Sequence, residues 1–241
     1  MTALPTRKQE AWRYADLKAV EALWPPPPAR LIPVPTGESR EEVVRVTEGG
    51  IHDLHVELAP GASLTLVLLA RAPAYARIAV TAHLKAGASL DLGGILLADG
   101  EAVQELVTDI RHEEPGAQSR QRVRLVVDDR ATGTYLGRIA VARDAQQTDA
   151  EQSARALVLK RTATANLKPE LEIFADDVKC AHGCTVGELD KAALFYLESR
   201  GIPRPQAAAL LTRAFVADAL SGLADSEALE AETSQWLEAR A

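Results

Sequence analysis

Glycine-containing turns that recur at a regular spacing constrain this chain more than any other feature. They are Pro60-Gly-Ala-Ser, Ala86-Gly-Ala-Ser and Pro115-Gly-Ala-Gln, and their glycines lie 26 and then 29 residues apart. Short apolar stretches with the period-two alternation of strands fill the intervals, as at residues 64–69 and 123–127. A repeat of this length without intervening helices indicates stacked coils. Residues 41–187 are therefore predicted to form a β-solenoid or two-sheet β-roll, which the repeat favours over a β-sandwich.

The regions on either side of this core have different patterns. Residues 1–24 combine apolar positions such as Trp12 and Val20 with many charges and predict a short helical arm. Four consecutive prolines starting at Pro25 end the arm, because proline cannot continue a helix, and residues 25–40 are predicted to be a linker. The arm and linker together make up a first region, residues 1–40.

Residues 188–241 change to helical periodicity and predict a C-terminal helical domain of three helices. The first helix is predicted to begin at Asp190 and to end at Gly201. The second is predicted to begin at Pro203 and Pro205 and to end at Gly222. The third is predicted to begin at Asp225 or Ser226. The second helix carries an apolar stripe formed by Ala207, Leu210, Leu211, Ala214 and Phe215. This stripe can pack on the core of the protein, or it can dock a partner.

Both cysteines lie close together, at Cys180 and Cys184, with His182 between them. In an extended strand, residues two apart point to the same face, so the three side chains would line one side of a strand. Thiol and imidazole groups suit iron or zinc. The alternative is structural: a buried thiol that packs as a small hydrophobe beside a hydrogen-bonded histidine.

The number of these ligands also matters. A structural zinc site or an iron–sulfur cluster usually takes four ligands, whereas this stretch offers three at most. A complete site would need further ligands from elsewhere, which favours a shared or transient site at an interface. The two thiols are not predicted to pair with each other, because residues four apart in a strand are ~13 Å apart and a disulfide needs Cα atoms roughly 4.4–6.8 Å apart.

Enzyme signatures are weak. His52, His55 and His83 could form a cupin-type metal site in a stand-alone β-roll enzyme, but solvated histidines on loops or strand edges are the favoured interpretation. The sequence has no phosphate-binding loop, dinucleotide fingerprint, hydrolase elbow or zinc-protease motif. A nucleophile pair of Cys180 and His182 lacks a third residue that would orient the base. A non-enzymatic protein is predicted.

Composition and charge limit the partners and the cellular location that are expected. The net charge is −7 and no dense Lys/Arg cluster occurs, so nucleic acid is not an expected partner. No apolar run reaches 18 residues, and the N-terminus lacks the apolar segment of a secretory signal. Free thiols fit a reducing compartment, and a cytoplasmic location without membrane contact is expected.

Residues 169–202, which include Lys179-Cys-Ala-His-Gly183, resemble the C-terminal signature of the SufD family of iron–sulfur cluster assembly subunits. Residues 5–17 resemble the opening motif of that family, and residues 148–159 look like a divergent copy of the region before the signature. The sister subunit SufB shares the fold but replaces the Lys-Cys-x-His-Gly portion. The sequence is therefore more similar to SufD than to SufB.

The resemblance implies a mainly β fold: a right-handed parallel β-helix core between a helical arm and a C-terminal helical domain. It implies a scaffold for nascent clusters, with SufB bound through the β core and the ATPase SufC docked on the C-terminal helices. His182, and after it Cys180, would be ligands of a transient iron–sulfur cluster shared with the partner, and the isolated chain would hold none stably. Cluster type, flavin binding and homodimerisation of the lone subunit are left open.

Cys184 departs from the family pattern, which usually has alanine at this position. A ligand role for Cys184 is therefore a hypothesis from this sequence alone.

Overall fold

Two parallel β-sheets of six strands each form the middle of the protein in a computed structural model, which describes residues 3–220 and 226–238. Consecutive strands alternate between the sheets, so that two successive strands make one coil of a solenoid. The odd sheet contains β1 (Arg30–Val34), β3 (Gly50–Leu58), β5 (Tyr75–Leu84), β7 (Val103–His112), β9 (Thr132–Val141) and β11 (Thr164–Ile173). The even sheet contains β2 (Ser39–Val46), β4 (Ser63–Ala70), β6 (Ser89–Ala98), β8 (Gln118–Val127), β10 (Asp149–Val158) and β12 (Lys179–Gly187). The predicted parallel β-solenoid is confirmed.

The recurring glycine turns stack on one another, as the sequence repeat predicted. Gly61, Gly87 and Gly116 have φ angles of 69°, 64° and 73°, in the left-handed region that favours glycine. The amide of Gly61 donates to the carbonyl of Ala86, and that of Gly87 to the carbonyl of Pro115, at 2.8 and 3.0 Å. Each turn is thus hydrogen-bonded to the next coil, which fixes the register of the strands that follow.

The solenoid begins earlier than predicted. Residues 25–40 were expected to be a linker, but they contain β1 and the start of β2. Gly37 (φ 71°) makes the first stacked turn, and its amide donates to the carbonyl of Pro60. Pro33 obscured this strand, although proline is tolerated there because β1 is an edge strand that pairs only with β3.

The interior of the solenoid is a column of aliphatic side chains. Residues of one parity along each strand are buried between the sheets, as the alternation of β5 and β10 shows. Leu66 of β4, Leu92 of β6 and Ile78 of β5 are completely buried in this column. Burial of side chains from every coil in one continuous core makes each coil depend on its neighbours.

The N-terminal arm contains a short 3₁₀ helix (Glu10–Trp12) and α1 (Leu17–Ala22), and it packs on the outer face of the odd sheet. Asp16 caps α1 by accepting from the amides of Lys18 and Ala19. A buried ion pair lies under the arm: Arg77 Nη1 is 2.7 Å from Glu105 Oε2. The guanidinium of Arg77 lies 3.8 Å from the ring centroid of Trp12.

Four helical segments follow β12 among the described residues: the first packs on the second, and the last three cover the outer face of the even sheet. They are α2 (Lys191–Ser199), α3 (Arg204–Ala217), a 3₁₀ helix (Asp218–Leu220) and α4 (Ser226–Glu238). The predicted starts at Asp190 and at Pro203 with Pro205 are confirmed, whereas Gly222 and Asp225 lie outside the described residues. Val216, Leu220 and Trp236 pack against strands β4, β6 and β8. None of the helices described is long and apolar enough to cross a membrane.

Candidate functional site

Cys180, His182 and Cys184 lie on β12, the last strand of the solenoid. This strand pairs only with β10, so its other edge carries no neighbouring strand among the described residues. Cys180 and Cys184 are half-buried, and every other residue of β12, including His182, is exposed. The site is therefore accessible at the end of the solenoid.

The three side chains share the inner face of the last coil, as their spacing predicted. Their partners in register on β10 are Ala150, Gln152 and Ala154, all of which are buried in the solenoid interior. Residues opposite one another on adjacent parallel strands face the same side of the sheet. Cys184 packs against the main core, and Cys180 against the cluster around Ile139 and Val141.

Strand β11 forms the other wall of this open end. Leu167 packs against the same core as Cys184, and Leu171 against the same cluster as Cys180. Strand β11 pairs only with β9, and Pro169, which lacks an amide N–H, lies in it. The last coil thus presents two thiols and an imidazole beside an apolar wall, at an end of the solenoid where both sheets have free edges.

The turn before β12 aligns these ligands. The amide of Gln147 donates to the carbonyl of Asp177 at 2.6 Å, and the amide of Lys179 donates to that of Thr148 at 2.8 Å. These bonds repeat the stacked turns of the earlier coils, with Gln147 (φ 60°) in the conformation that glycine adopts elsewhere. The solenoid register, rather than a dedicated loop, therefore sets the position of the site.

Burial raises the pKa of both thiols. Desolvation is the main cause at Cys180 and Cys184, and the backbone amides of Ala150 and Ala154 oppose it by hydrogen bonding. Both side chains are therefore thiols at neutral pH. Because the thiolate is the metal ligand, binding of iron at either residue would release a proton and become stronger as the pH rises.

The site is incomplete for a single metal ion. Residues two apart on a strand are separated by ~6.6 Å, and Cys180 and Cys184 by ~13 Å, whereas a thiolate binds zinc at ~2.3 Å. Across the described residues, no group of three or more histidine, cysteine or acidic side chains is placed to hold one ion. Each of the three candidate ligands therefore needs donors from outside the strand.

A polar cluster that the sequence did not reveal lies beneath this end of the core. Thr108 and Tyr135 each contact the Oε1 of Gln121, at 2.8 and 3.1 Å, and the Nε2 of Gln152 donates to the Tyr135 hydroxyl at 2.7 Å. All four residues are buried. Gly137 makes room for them, since a Cβ there would be 2.0 Å from Gln152 Nε2 and 2.3 Å from the Tyr135 hydroxyl.

The histidines of the alternative metal site are not brought together. His52 and His55 lie on β3, where His52 is half-buried and His55 exposed. His83 lies on β5, and its Nδ1 is 2.5 Å from Glu113 Oε1. Burial lowers the pKa of His52. Within the described ranges, no group of three or more possible metal ligands forms around any of these histidines.

The predicted docking stripe on α3 is only partly free. The face of α3 that packs on the protein carries Ala207, Thr212 and Val216. Of the docking candidates, Leu210 and Ala214 are exposed, whereas Leu211 and Phe215 are half-buried. Phe215 packs on the even sheet, which removes most of its ring from a free docking surface.

The fold and the site together define a class of protein: a parallel β-solenoid whose open end carries two thiols and an imidazole. A sequence profile described as "SUF system FeS cluster assembly, SufBD core domain" matches residues 49–215. The chain belongs to this family.

Curated relatives carry related names. The chain is 39% identical over 118 residues to "Iron-sulfur cluster assembly protein SufD" of Escherichia coli, a match that covers 49% of this chain and 28% of that protein. It is 39% identical over 121 residues to the SufBD family protein slr0076 of Synechocystis, covering 50% and 27% of the two chains. It is 31% identical over 194 residues to "Protein ABCI7, chloroplastic" of Arabidopsis thaliana, covering 79% and 36%. The chain thus matches about a third of the length of these relatives.

Proposed function

We propose that this protein is a non-catalytic scaffold subunit on which nascent iron–sulfur clusters are assembled at an interface with a second subunit. The observation that carries the proposal is the placement of Cys180, His182 and Cys184 on an accessible last strand whose ligand set is incomplete. The cluster is the cargo of this site. His182 is its principal ligand, followed by Cys180, and Cys184 is an additional ligand peculiar to this sequence.

The open end of the solenoid supplies the interface. In the part of the chain that the structure describes, strands β11 and β12 each have one unpaired edge, and edge strands are surfaces on which another chain can add a strand. A partner bound there would bring its own side chains next to His182. The SufBD core family makes SufB the expected partner, and a second copy of this chain is the alternative when SufB is absent.

The C-terminal helices are the proposed docking site for the ATPase SufC. Leu210 and Ala214 of α3 remain available, and α2 adds two exposed aromatic side chains, Phe195 and Tyr196, at 72% and 56% exposure. Exposed aromatic residues are enriched at protein interfaces. Helix α3 packs on the solenoid and α2 packs on α3, so movement of the partner can reach the β core through α3.

A reconstitution experiment tests the role of His182. The complex with SufB and SufC is loaded anaerobically with iron and sulfide, and the His182→Ala variant is compared with the parent and with His55→Ala, which removes an exposed histidine from β3. The proposal predicts that His182→Ala loses most of the bound cluster, whereas His55→Ala retains it. Equal cluster loading in all three complexes would contradict the proposal.

A further inference from the structure

Gln152 has an unusual position next to the candidate ligand. It is the register partner of His182 on the adjacent strand, so the two residues are neighbours on the same face at the strand spacing of ~4.8 Å. Gln152 is 1% exposed, and its Oε1 atom has no hydrogen-bond partner. A buried amide oxygen without a partner is costly, and such groups call for a specific explanation.

The buried polar cluster fixes the orientation of the Gln152 amide. Its Nε2 donates to the hydroxyl of Tyr135 at 2.7 Å, and that hydroxyl in turn donates to Gln121 Oε1 at 3.1 Å. Thr108 Oγ1 donates to the same Gln121 oxygen at 2.8 Å. Because the Tyr135 hydroxyl already donates to Gln121, its oxygen accepts from the Gln152 nitrogen, and the Gln152 oxygen is left without a partner.

His182 is a candidate donor for that oxygen from the last strand of the solenoid. Its ring is exposed and has no hydrogen-bond partner among the described residues. Two other donors are near. The Cys184 thiol is a weak donor, and Nε2 of Gln121, the register partner of Gln152 on β8, has no partner but makes no hydrogen bond to Gln152 in this structure. An amide oxygen has two lone pairs, so it can accept from His182 as well as from another donor. An imidazole N–H therefore competes well for the Gln152 oxygen.

We propose that Gln152 is a positioning residue for His182: its Oε1 accepts the N–H of one ring nitrogen and leaves the other nitrogen unprotonated to bind iron. Histidines that bind metals commonly donate their second ring nitrogen to an acceptor, which fixes the tautomer and the ring orientation. The buried chain of Thr108, Gln121 and Tyr135 provides the fixed support that an exposed strand lacks. This inference rests on the proposed role of His182 in cluster assembly.

The tautomer of His182 tests the inference without any cluster. In the intact, metal-free chain labelled with ¹⁵N-histidine, two-bond ¹H–¹⁵N correlation spectra recorded at alkaline pH report the ratio of the two neutral tautomers. The His182→Asn variant identifies the signal. One tautomer is expected to dominate in the parent, and Gln152→Met is expected to change the ratio roughly fivefold, the factor that one ordinary hydrogen bond provides.

Two further variants separate positioning from folding. Tyr135→Phe keeps Gln152 but removes the hydroxyl that orients it, and it is expected to change the ratio in the same direction. Gln104→Met removes another buried amide from the solenoid interior, one that donates to the carbonyls of Ala72 and Leu97. It is expected to leave the ratio unchanged whatever it does to the melting temperature. An unchanged ratio in Gln152→Met, or an equal change in Gln104→Met, would overturn the inference.

The two proposals can fail separately. If the tautomer depends on Gln152 but His182→Ala retains the cluster in the complex, the proposed function is wrong and the positioning contact is real. If the tautomer does not depend on Gln152 but His182→Ala loses the cluster, the positioning role is wrong and the proposed function stands.

Discussion

Burial in the solenoid interior strongly shifts the pKa of one side chain, His112. It is 1% exposed, its Nε2 lies 2.9 Å from Ser119 Oγ, and burial lowers its pKa to about 4 from an ordinary value of 6.5. The unfolded chain therefore binds a proton between pH 6.5 and 4 that the folded chain does not. The contribution of His112 to stability is present above pH 6.5 and is lost as the pH falls toward 4.

We expect the free energy of unfolding to show this pH dependence, with His112 contributing up to about 3 kcal/mol. In the His112→Gln variant the fall in stability between pH 6.5 and 4.5 should be smaller. Urea titrations at several pH values measure the free energy of unfolding of each variant. His55→Gln, at an exposed position, serves as the control and should follow the parent. A His112→Gln curve parallel to that of the parent would contradict the expected neutral, buried ring.

At the scale of elements, docking of the C-terminal helices depends on one close backbone contact with the even sheet. A Cβ at Gly93 in β6 would lie 1.9 Å from the carbonyl oxygen of Ala219, which belongs to the 3₁₀ helix after α3. Arg122 and Arg124 of β8 bind the adjoining Asp218, through its carbonyl oxygen at 3.1 Å and its carboxylate at 2.5 Å. The 3₁₀ helix can therefore approach β6 this closely only because Gly93 carries no side chain.

Gly93→Ala is expected to displace the C-terminal helices and to leave the solenoid folded. Hydrogen exchange should become faster in residues 204–220 while the strands keep their protection. Gly187→Ala is a matched control, because a Cβ at Gly187 meets nothing within 4 Å. Unchanged exchange in the helices of Gly93→Ala would show that the backbone contact is not required for docking.

The N-terminal arm depends on the buried pair of Arg77 and Glu105. Their side chains are 3% and 1% exposed, and Arg77 Nη2 also donates to the carbonyl of Ala11 at 2.7 Å. Arg77→Met leaves an unpaired buried carboxylate and should cost about 3–5 kcal/mol in the free energy of unfolding. The double variant Arg77→Met/Glu105→Leu should recover much of this loss in chemical denaturation. A double variant no more stable than Arg77→Met would contradict the account.

How far the sequence predicted these elements depended on whether the signal was local. The turn repeat and the Asp190 cap are local patterns, and both were predicted correctly. The face of α3 was predicted less well, because the even sheet selects Thr212 and Val216 rather than the most apolar stripe. Docking against a sheet decided that face, and the helix sequence alone does not contain the information.

The candidate site was also only partly predictable from the sequence. The shared face of Cys180, His182 and Cys184 follows from the two-residue period of a strand and could be predicted. The polar cluster could not, because Thr108, Gln121, Tyr135 and Gln152 come from four different strands. These residues come together only because each strand pairs with the equivalent strand of the next coil. The number of residues between paired positions varies along the solenoid, from 24 between Ser39 and Ser63 to 32 between Thr132 and Thr164.

At the scale of the whole molecule, the two kinds of exposed surface lie on different parts of the fold. The thiol and imidazole side chains of β12 occupy the open end of the solenoid, and the exposed aromatic residues Phe195 and Tyr196 lie on α2. Separate surfaces allow two partners to bind at once. A change on one surface should then leave binding at the other intact.

Phe195→Ser is expected to weaken binding of SufC at least tenfold without lowering the melting temperature, because its ring is 72% exposed and an aromatic interface anchor is worth about 2 kcal/mol or more. Titration calorimetry with purified SufC measures the affinity. Leu31→Ser alters a side chain that is 69% exposed on β1 and should not affect this binding. Parent-like affinity in Phe195→Ser would exclude this part of α2 from the interface.

The central claim is that this chain supplies only part of the ligand set of a cluster. The most direct test counts the iron and acid-labile sulfide that survive desalting after anaerobic reconstitution of the full-length chain, alone and mixed with SufB. The account predicts that the chain alone retains no cluster, that the mixture retains one, and that His182→Ala abolishes it. A cluster held in full by the chain alone, and unaffected by SufB, would contradict the account.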